Sequence, residues 1–211
     1  MISFIIPAYN EQNYIENTLK KIPKDSEVII VCNGCTDNTY KIARKCTKKV
    51  YNIDKKNVSL ARNYGAKKAK NNILVFLDAD TIVNKNFINK ILSIKDKNFF
   101  GTCKVYPDNN HILAHLYCFI KNLIGLLGIH NSSGIIFSSK KLFNKVKFNE
   151  NLIKRENQDF SVRAKQYGKR YFLSCYTITS MRRFEKIGYL NVPLYWLKEI
   201  FHESKDYPNV R

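Results

Sequence analysis

Short apolar runs alternate with helical patterns along the first half of the chain. The apolar runs are rich in β-branched residues and end at turn residues, which predicts strands at residues 3–7, 27–32, 49–53 and 73–77. Between them, apolar residues recur every three or four positions. This spacing predicts helices at residues 14–22, at 59–69 with Ser59 as its cap, at 84–94, and from a cap at Thr36 or Asp37 to residue 46.

The second half of the chain is less regular. Its strands are predicted at residues 99–105, 134–138 and 170–175. Its helices are predicted at residues 112–127, 140–146, 158–167 and 195–201. No internal repeat or linker interrupts the pattern, so we predict a single domain over residues 1–211.

Alternating strands and helices joined by short connections predict an α/β fold. We expect a Rossmann-like, mostly parallel central sheet with helices on both faces. Ligands of such sheets bind at the carboxyl ends of the strands. Polar clusters follow the first, second and fourth predicted strands, at residues 9–11, 33–37 and 78–80. We therefore expect a binding site where these three clusters meet.

Asp78 and Asp80 flank one small residue directly after a wholly apolar strand. Strand alternation would point both carboxylates the same way, and their mutual repulsion would be relieved by a divalent cation. Mg²⁺ and Mn²⁺ prefer carboxylate oxygens together with substrate phosphates. The spacing thus indicates a metal site, and the alternative is a polar turn that only caps the strand and the next helix.

Asn33 precedes a glycine in a turn that ends in Asp37. An asparagine amide both donates and accepts hydrogen bonds, so it suits the edge of a nucleobase. An ordinary strand–turn–helix junction has the same composition and is the alternative. The turn also contains the motif Cys32–Cys35, but no second pair is spaced for a zinc site, and a redox role is the weaker interpretation.

Two further clusters have the side chains that group transfer needs. Residues 155–160 place Glu156 and Asp159 at a helix start, where a carboxylate could act as a general base or merely complement the helix dipole. Arg182 and Arg183 stand beside an aromatic residue, and paired arginines can hold phosphate. The alternative for the arginines is a solvated basic turn.

The chain carries 36 Lys and Arg against 17 Asp and Glu, a formal net charge of +19. The basic residues are scattered, which argues against a nucleic-acid partner and for a general surface charge that attracts polyanions, including anionic lipid. Compositional bias towards Lys, Asn and Ile explains part of this charge. The amphipathic helix at 112–127 would suit either a membrane surface or, more commonly, packing on the sheet.

The start of the chain lacks the basic and apolar regions of a signal peptide, and no run of 18 clean apolar residues occurs. We therefore expect a cytoplasmic protein, with the inner face of the membrane as the site of any peripheral contact. The irregular spacing of the six cysteines fits a reduced compartment.

Taken in order, the motifs resemble those of family 2 glycosyltransferases with the GT-A fold. The similarity extends from residue 3 to about residue 184 and includes the segments SFIIPAYNEQNYIENTL, EVIIVCNGCTDNT, LARNYGAKKAKNNILVFLDADT and SSGIIFSSKKLFNKVKFNENLIKRENQDFSVRAKQYGK. The resemblance implies a nucleotide-binding half over about residues 1–105 and an acceptor-side half over about 106–211. It also implies an inverting transfer from a nucleotide-sugar donor to a glycan or lipid-linked acceptor.

The resemblance implies a role for each matching residue. Donor binding would involve Pro7, Ala8, Tyr9, Glu11, Asn33, Asp37, Arg62, Asp78, Arg182 and Arg183. Within this set Asn33 would meet the base, Arg62 would lie near the base or phosphates, and the two later arginines would steady the departing diphosphate. Asp78 and Asp80 would bind ribose and the Mg²⁺ or Mn²⁺ ion.

Two positions depart from the family pattern. The family usually has Asp where this chain has Asn33, and because an amide matches uracil better than guanine, we favour a UDP-sugar. The family's acidic motif is often Glu-Asp with Asp as the base, but here Glu156 is followed by Asn157, which cannot take a proton. We expect Asp159 to act as base, with Glu156 as the second candidate. The alternative function is an impaired module that binds nucleotide sugars without turnover.

Overall fold

The computed structural model describes residues 1–128 and 134–192 of the chain. Its strands are β1 (Ile2–Ala8), β2 (Glu27–Asn33), β3 (Val50–Ile53), β4 (Ile73–Leu77), β5 (Thr81–Val83), β6 (Phe99–Pro107), β7 (Ile135–Ser139) and β8 (Lys169–Thr179). Its helices are α1 (Ile15–Lys20), α2 (Thr39–Cys46), α3 (Val58–Lys68), α4 (Phe87–Leu92), α5 (Ile112–Leu126), α6 (Lys140–Val146), α7 (Glu156–Ala164) and α8 (Arg182–Ile187). The helix predicted at 195–201 lies outside the described residues.

The described strands form one sheet in the order β3-β2-β1-β4-β7-β6-β8-β5. Strands β1 to β4 are parallel to one another, and β6 is parallel to β8. Strand β7 runs antiparallel between β4 and β6, and β5 runs antiparallel to β8. The predicted α/β class with a mostly parallel sheet is confirmed, and the single-domain organisation stays a prediction.

Helices cover both faces of the sheet because side chains alternate along each buried strand. In β1, Phe4 and Ile6 point to one face, where they join a core completed by α1, α2 and α4. The intervening Ile5 points to the other face, towards α3, α6 and α7. Gly65 allows α3 to approach closely, since a Cβ there would lie 2.5 Å from a methyl carbon of Ile5.

Several local predictions differ from the structure, including the cap of α2, which is Asn38 rather than Thr36 or Asp37. The cap of α3 is Asn57, whose side chain accepts a hydrogen bond from the backbone N–H of Leu60, so the helix begins before Ser59. The short strand β5 was not predicted; it lies between the predicted strand at 73–77 and the predicted helix at 84–94. It is formed by pairing with β8 rather than by a long apolar run of its own. The helix after it, α4, is correspondingly shorter than predicted.

Helix α5 packs on the sheet through its small residues. Ala114, Cys118 and Gly125 are buried, and a Cβ on Gly125 would lie 2.5 Å from the ring of Phe172. Asn122 exchanges hydrogen bonds with the backbone of Val105 in β6. Several large apolar side chains of this helix therefore face outward, whereas Tyr117 packs against the ring of Phe184 in α8. Among the residues described, no helix is long and apolar enough to cross a bilayer.

Candidate active site

The carboxyl ends of β1, β2 and β4 meet around a cleft. Its lining combines acidic and amide side chains with small apolar residues: Pro7, Glu11, Asn33, Val58, Asp78, Ala79 and Asp80. Three polar clusters that are distant in the sequence are thus brought to one edge of the sheet, as parallel strands require. The other residues predicted from the sequence are not part of this lining: Ala8, Tyr9, Asp37, Arg62, Glu156, Asp159, Arg182 and Arg183.

The loops after β1 and β2 are tied to each other by side-chain hydrogen bonds. Asn10 accepts from the backbone N–H of Thr36 at 2.9 Å, and the carboxylate of Asp37 accepts from the backbone N–H of Gln12 at 3.2 Å. Asp37 also accepts from the backbone and hydroxyl of Thr39. The Asp37 carboxylate therefore helps to hold the two loops together. Ala8 ends β1, and the ring of Tyr9 lies 4.2 Å from the ammonium group of Lys56.

Asn33 supplies an amide to the lining of the cleft, and 4% of its surface is exposed. Its side-chain oxygen is buried and has no hydrogen-bond partner within the described residues. A buried acceptor without a partner is costly, so a donor supplied by a ligand would stabilise it. The next residue, Gly34, has a φ of +79° and lets the chain turn sharply away from the cleft.

Asp78 is held by a buried arginine that also reaches the acidic cluster of α7. Arg62 donates to Asp78 at 3.0 Å, to Glu156 at 3.1 Å and to the side-chain oxygen of Asn157 at 2.7 Å. The guanidinium is stacked 5.0 Å from the ring of Phe148. Arg62 is 4% exposed, so it links two parts of the site from within rather than from the surface.

Asp80 is held by a second arginine. Arg182, the first residue of α8, donates to Asp80 at 3.0 Å and to Glu11 at 2.7 Å, and its guanidinium lies 4.2 Å from the ring centre of Tyr14. Burial alone would lower the pKa of Arg182, but the hydrogen bond to Glu11 and the charge of Asp80 raise it above its ordinary value. The guanidinium therefore stays charged and neutralises two carboxylates in the cleft.

The two candidate bases have different surroundings. Asp159 accepts hydrogen bonds from Arg163, one turn further along α7, at 2.5 and 3.0 Å. Arg163 in turn donates to the backbone carbonyl groups of Val146 and Lys147. Glu156, in contrast, contacts the same guanidinium as Asp78. Of the two, Glu156 is the carboxylate connected to the cleft.

Lys121 of α5 was missed by the sequence interpretation, although it is the single charged residue in an apolar helix. Desolvation lowers the pKa of its ammonium group to about 8, an effect that the nearby negative charge of Asp78 opposes and the positive charge of Arg183 reinforces. Arg183 is half-buried. Val58, which lines the cleft, carried no chemical signal in the sequence.

The donor set suits a divalent cation only if a substrate completes it. Within the described residues, no three His, Cys, Asp or Glu side chains are grouped closely enough to hold an ion by themselves. Mg²⁺ is commonly bound by one or two carboxylates together with substrate phosphates. Asp78 and Asp80 provide that number of carboxylates, and both face the cleft.

Cys32 and Cys35 are free thiols at the end of β2 and in the turn that follows. A hydrogen bond between them raises the pKa of Cys32 and lowers the pKa of Cys35. The Cys35 sulfur also lies 3.2 Å from the carbonyl oxygen of Ala8, so it bridges the first two loops of the site.

Comparison with known proteins agrees with this architecture. A family model described as "Glycosyl transferase family 2" matches residues 3–152. An uncharacterized glycosyltransferase of Rickettsia bellii is 32% identical over 107 residues, which make up 47% of this chain and 16% of that protein. The chain thus aligns with only a small part of this longer relative.

Solved structures show the same fold. Fragment 1–349 of S. aureus TarS, in complex with UDP-GlcNAc, matches with a TM-score of 0.69 at 22% identity, covering 86% of this chain and 58% of that one. The mannosyltransferase PcManGT from Pyrobaculum calidifontis, in complex with GDP-Man and Mn²⁺, matches with a TM-score of 0.68 at 15% identity, covering 98% and 66%. The GT-A architecture expected from the sequence motifs is confirmed.

Proposed function

Because this chain belongs to glycosyl transferase family 2, we propose that it transfers a sugar from a nucleotide-diphospho-sugar to an acceptor hydroxyl with inversion of the anomeric centre. A UDP-sugar is the favoured donor, and a glycan or lipid-linked molecule is the acceptor. The observation that carries the proposal is the buried, unpartnered oxygen of Asn33 in the same cleft as Asp78 and Asp80.

The base of the donor occupies the Asn33 end of the cleft in this proposal. The unpartnered side-chain oxygen accepts the N3–H of uracil, and the amide nitrogen donates to a neighbouring carbonyl group of the ring. Guanine would present two adjacent donors to a group that has one acceptor. Relief of a buried acceptor adds to the affinity for uracil, because the free protein bears the cost of leaving it unpaired.

The diphosphate occupies the opposite end, between the two aspartates and the basic residues. Asp78 and Asp80 would hold Mg²⁺ or Mn²⁺, which would supply positive charge for the departing diphosphate. PcManGT, which shares the fold, is seen with Mn²⁺, in agreement with this cofactor. Arg182 keeps Asp80 and Glu11 in place. Arg183, the next residue, would contribute positive charge to the leaving group.

Glu156 is the general base that the geometry favours over Asp159. Its carboxylate is fixed by Arg62, which also fixes Asp78, so base and donor site are coupled by one guanidinium. Asp159 is engaged by Arg163 instead. In the transfer step the base takes the proton of the acceptor hydroxyl while the acceptor oxygen attacks the anomeric carbon and the bond to the diphosphate breaks.

Calorimetric titration with UDP tests the donor site. We expect UDP to bind more tightly than GDP, with higher affinity when Mn²⁺ is present. Asn33→Ala should weaken UDP binding about tenfold through loss of one buried hydrogen bond. Asn52→Ala, at an exposed asparagine on the adjacent strand β3, is the matched control and should bind as the wild type does. Equal affinities of the two variants would contradict the assignment of Asn33.

Release of UDP from a panel of UDP-sugars, with water or acceptor as nucleophile, tests the base. Glu156→Gln should lower turnover at least about 100-fold, and Asp159→Asn should leave it within about tenfold of the wild type. Both variants should still bind UDP. The reverse order of activities would assign the base to Asp159.

A nucleotide-sugar-binding module without turnover is the second candidate, and Asn157 favours it. This residue occupies the place of the family's usual Asp and is bonded to Arg62 through its side-chain oxygen. A wild-type protein that binds UDP but releases none from any donor would support this candidate over the first.

A further inference from the structure

The outward side of α5 carries a continuous row of large apolar side chains. The row is made up of residues that are 46–79% exposed: Ile112, Leu116, Phe119, Ile120, Leu123, Leu126 and Leu127. We call this set the outer stripe. Contiguous exposed apolar surface of this kind marks an interaction site, whereas single exposed apolar residues are ordinary.

The outer stripe is a consequence of how α5 packs. Its buried residues are Ala114, Cys118 and Gly125, and the close approach to Phe172 at Gly125 would not tolerate a larger residue. A rotation that buried the outer stripe would place large side chains where this close approach is required. The helix is therefore held in an orientation that exposes its most hydrophobic side.

Basic side chains lie at the carboxyl end of α5. The sequence has no Asp or Glu between residues 109 and 149, and α5 itself carries Lys121. At the carboxyl end of the helix, Arg170 donates to the carbonyl group of Gly125, and the exposed Lys165 donates to that of Gly128. With a net charge of +19, the chain would be repelled by a second copy of itself and attracted to an anionic surface.

We propose that the outer stripe is a docking surface for an anionic lipid bilayer. The helix has 15 residues and is about 22 Å long, which is too short to span the hydrocarbon core of about 30 Å but suits a position in the interface plane. Apolar side chains insert between the lipids, and neighbouring lysine and arginine groups meet their phosphates.

None of the seven outer-stripe residues lines the cleft. The docking surface itself needs neither donor nor turnover, so it is tested independently of the proposed function.

Sedimentation of the full chain with vesicles tests the proposal. We expect binding to phosphatidylcholine vesicles that contain phosphatidylglycerol, weaker binding to phosphatidylcholine alone, and weakening by salt. The triple variant Phe119→Ser, Leu123→Ser, Leu126→Ser should raise the apparent dissociation constant at least about tenfold. Because these side chains are exposed, its circular dichroism and unfolding curve should match those of the wild type.

A matched control replaces three apolar residues of similar exposure elsewhere: Leu92→Ser, Val162→Ser, Leu190→Ser. This control should bind vesicles as the wild type does. The proposal is overturned if the wild type does not bind anionic vesicles, or if both triple variants lose binding equally. It is also overturned if the wild type is a dimer by light scattering and the α5 variant a monomer, since the stripe would then join two copies.

Discussion

Replacement of Arg182 by methionine should destabilise the protein strongly, although the residue lies at the beginning of a short surface helix. Its guanidinium contacts Glu11, whose side chain is 3% exposed, and Asp80, whose side chain is 18% exposed. Methionine retains much of the packing against Tyr14 but leaves the Glu11 carboxylate buried without this counter-charge. Removal of one partner from a buried ion pair typically costs about 3–5 kcal/mol.

Urea unfolding followed by circular dichroism measures this loss. The double variant Glu11→Gln, Arg182→Met should lose clearly less than the single variant, because no full charge is then left buried at position 11. Lys20→Met is the control, since the pair of Lys20 and Glu16 is solvated on the surface and should contribute nothing resolvable. A single variant at Arg182 that is as stable as the control would refute the view that this arginine neutralises the cleft.

Two further predictions concern the sheet. The carboxylate of Glu27 is desolvated, but hydrogen bonds from Lys49 and Ser3 lower its pKa, so its stabilising effect is present above its ordinary pKa and lost as the pH falls through the lowered value. In urea unfolding at several pH values, the stability advantage of the wild type over Glu27→Gln should therefore shrink in acid, and a constant difference would contradict this. Gly101→Ala should destabilise by about 3 kcal/mol, since a Cβ there would lie 2.0 Å from the carbonyl oxygen of Tyr171; an unchanged unfolding midpoint would contradict the close approach.

The strands at the centre of the sheet could be predicted from sequence because they are buried on both faces. The predicted strand at 73–77 coincides with β4, and those at 3–7 and 27–32 lie within β1 and β2. Strand β5 could not be predicted, since its three residues are stabilised by antiparallel pairing with β8 far along the chain. The position of β7 between β4 and β6 likewise depends on contacts between distant parts of the chain, so local sequence patterns do not predict it.

The candidate site was predictable in its location but not in its contacts. The rule that ligands bind at the carboxyl ends of parallel strands was enough to bring Asn33, Asp78 and Asp80 together. Which cation neutralises each carboxylate depends on how helices from other parts of the chain pack around the cleft. Arg62 reaches Asp78 from α3, which packs on β1 and β2, and Arg182 reaches Asp80 from α8, which packs beside α5.

Helix α5 shows most clearly the difference between what the sequence determines and what the tertiary structure decides. Its sequence alone determines that residues 112–127 form a helix with large apolar side chains on one side, because side chains three and four positions apart share a face. Only the tertiary structure decides that this side faces outward, since the sheet accepts the helix at a distance that small residues alone can fill. Periodicity is a property of neighbouring residues, whereas burial depends on the surface that the rest of the chain presents.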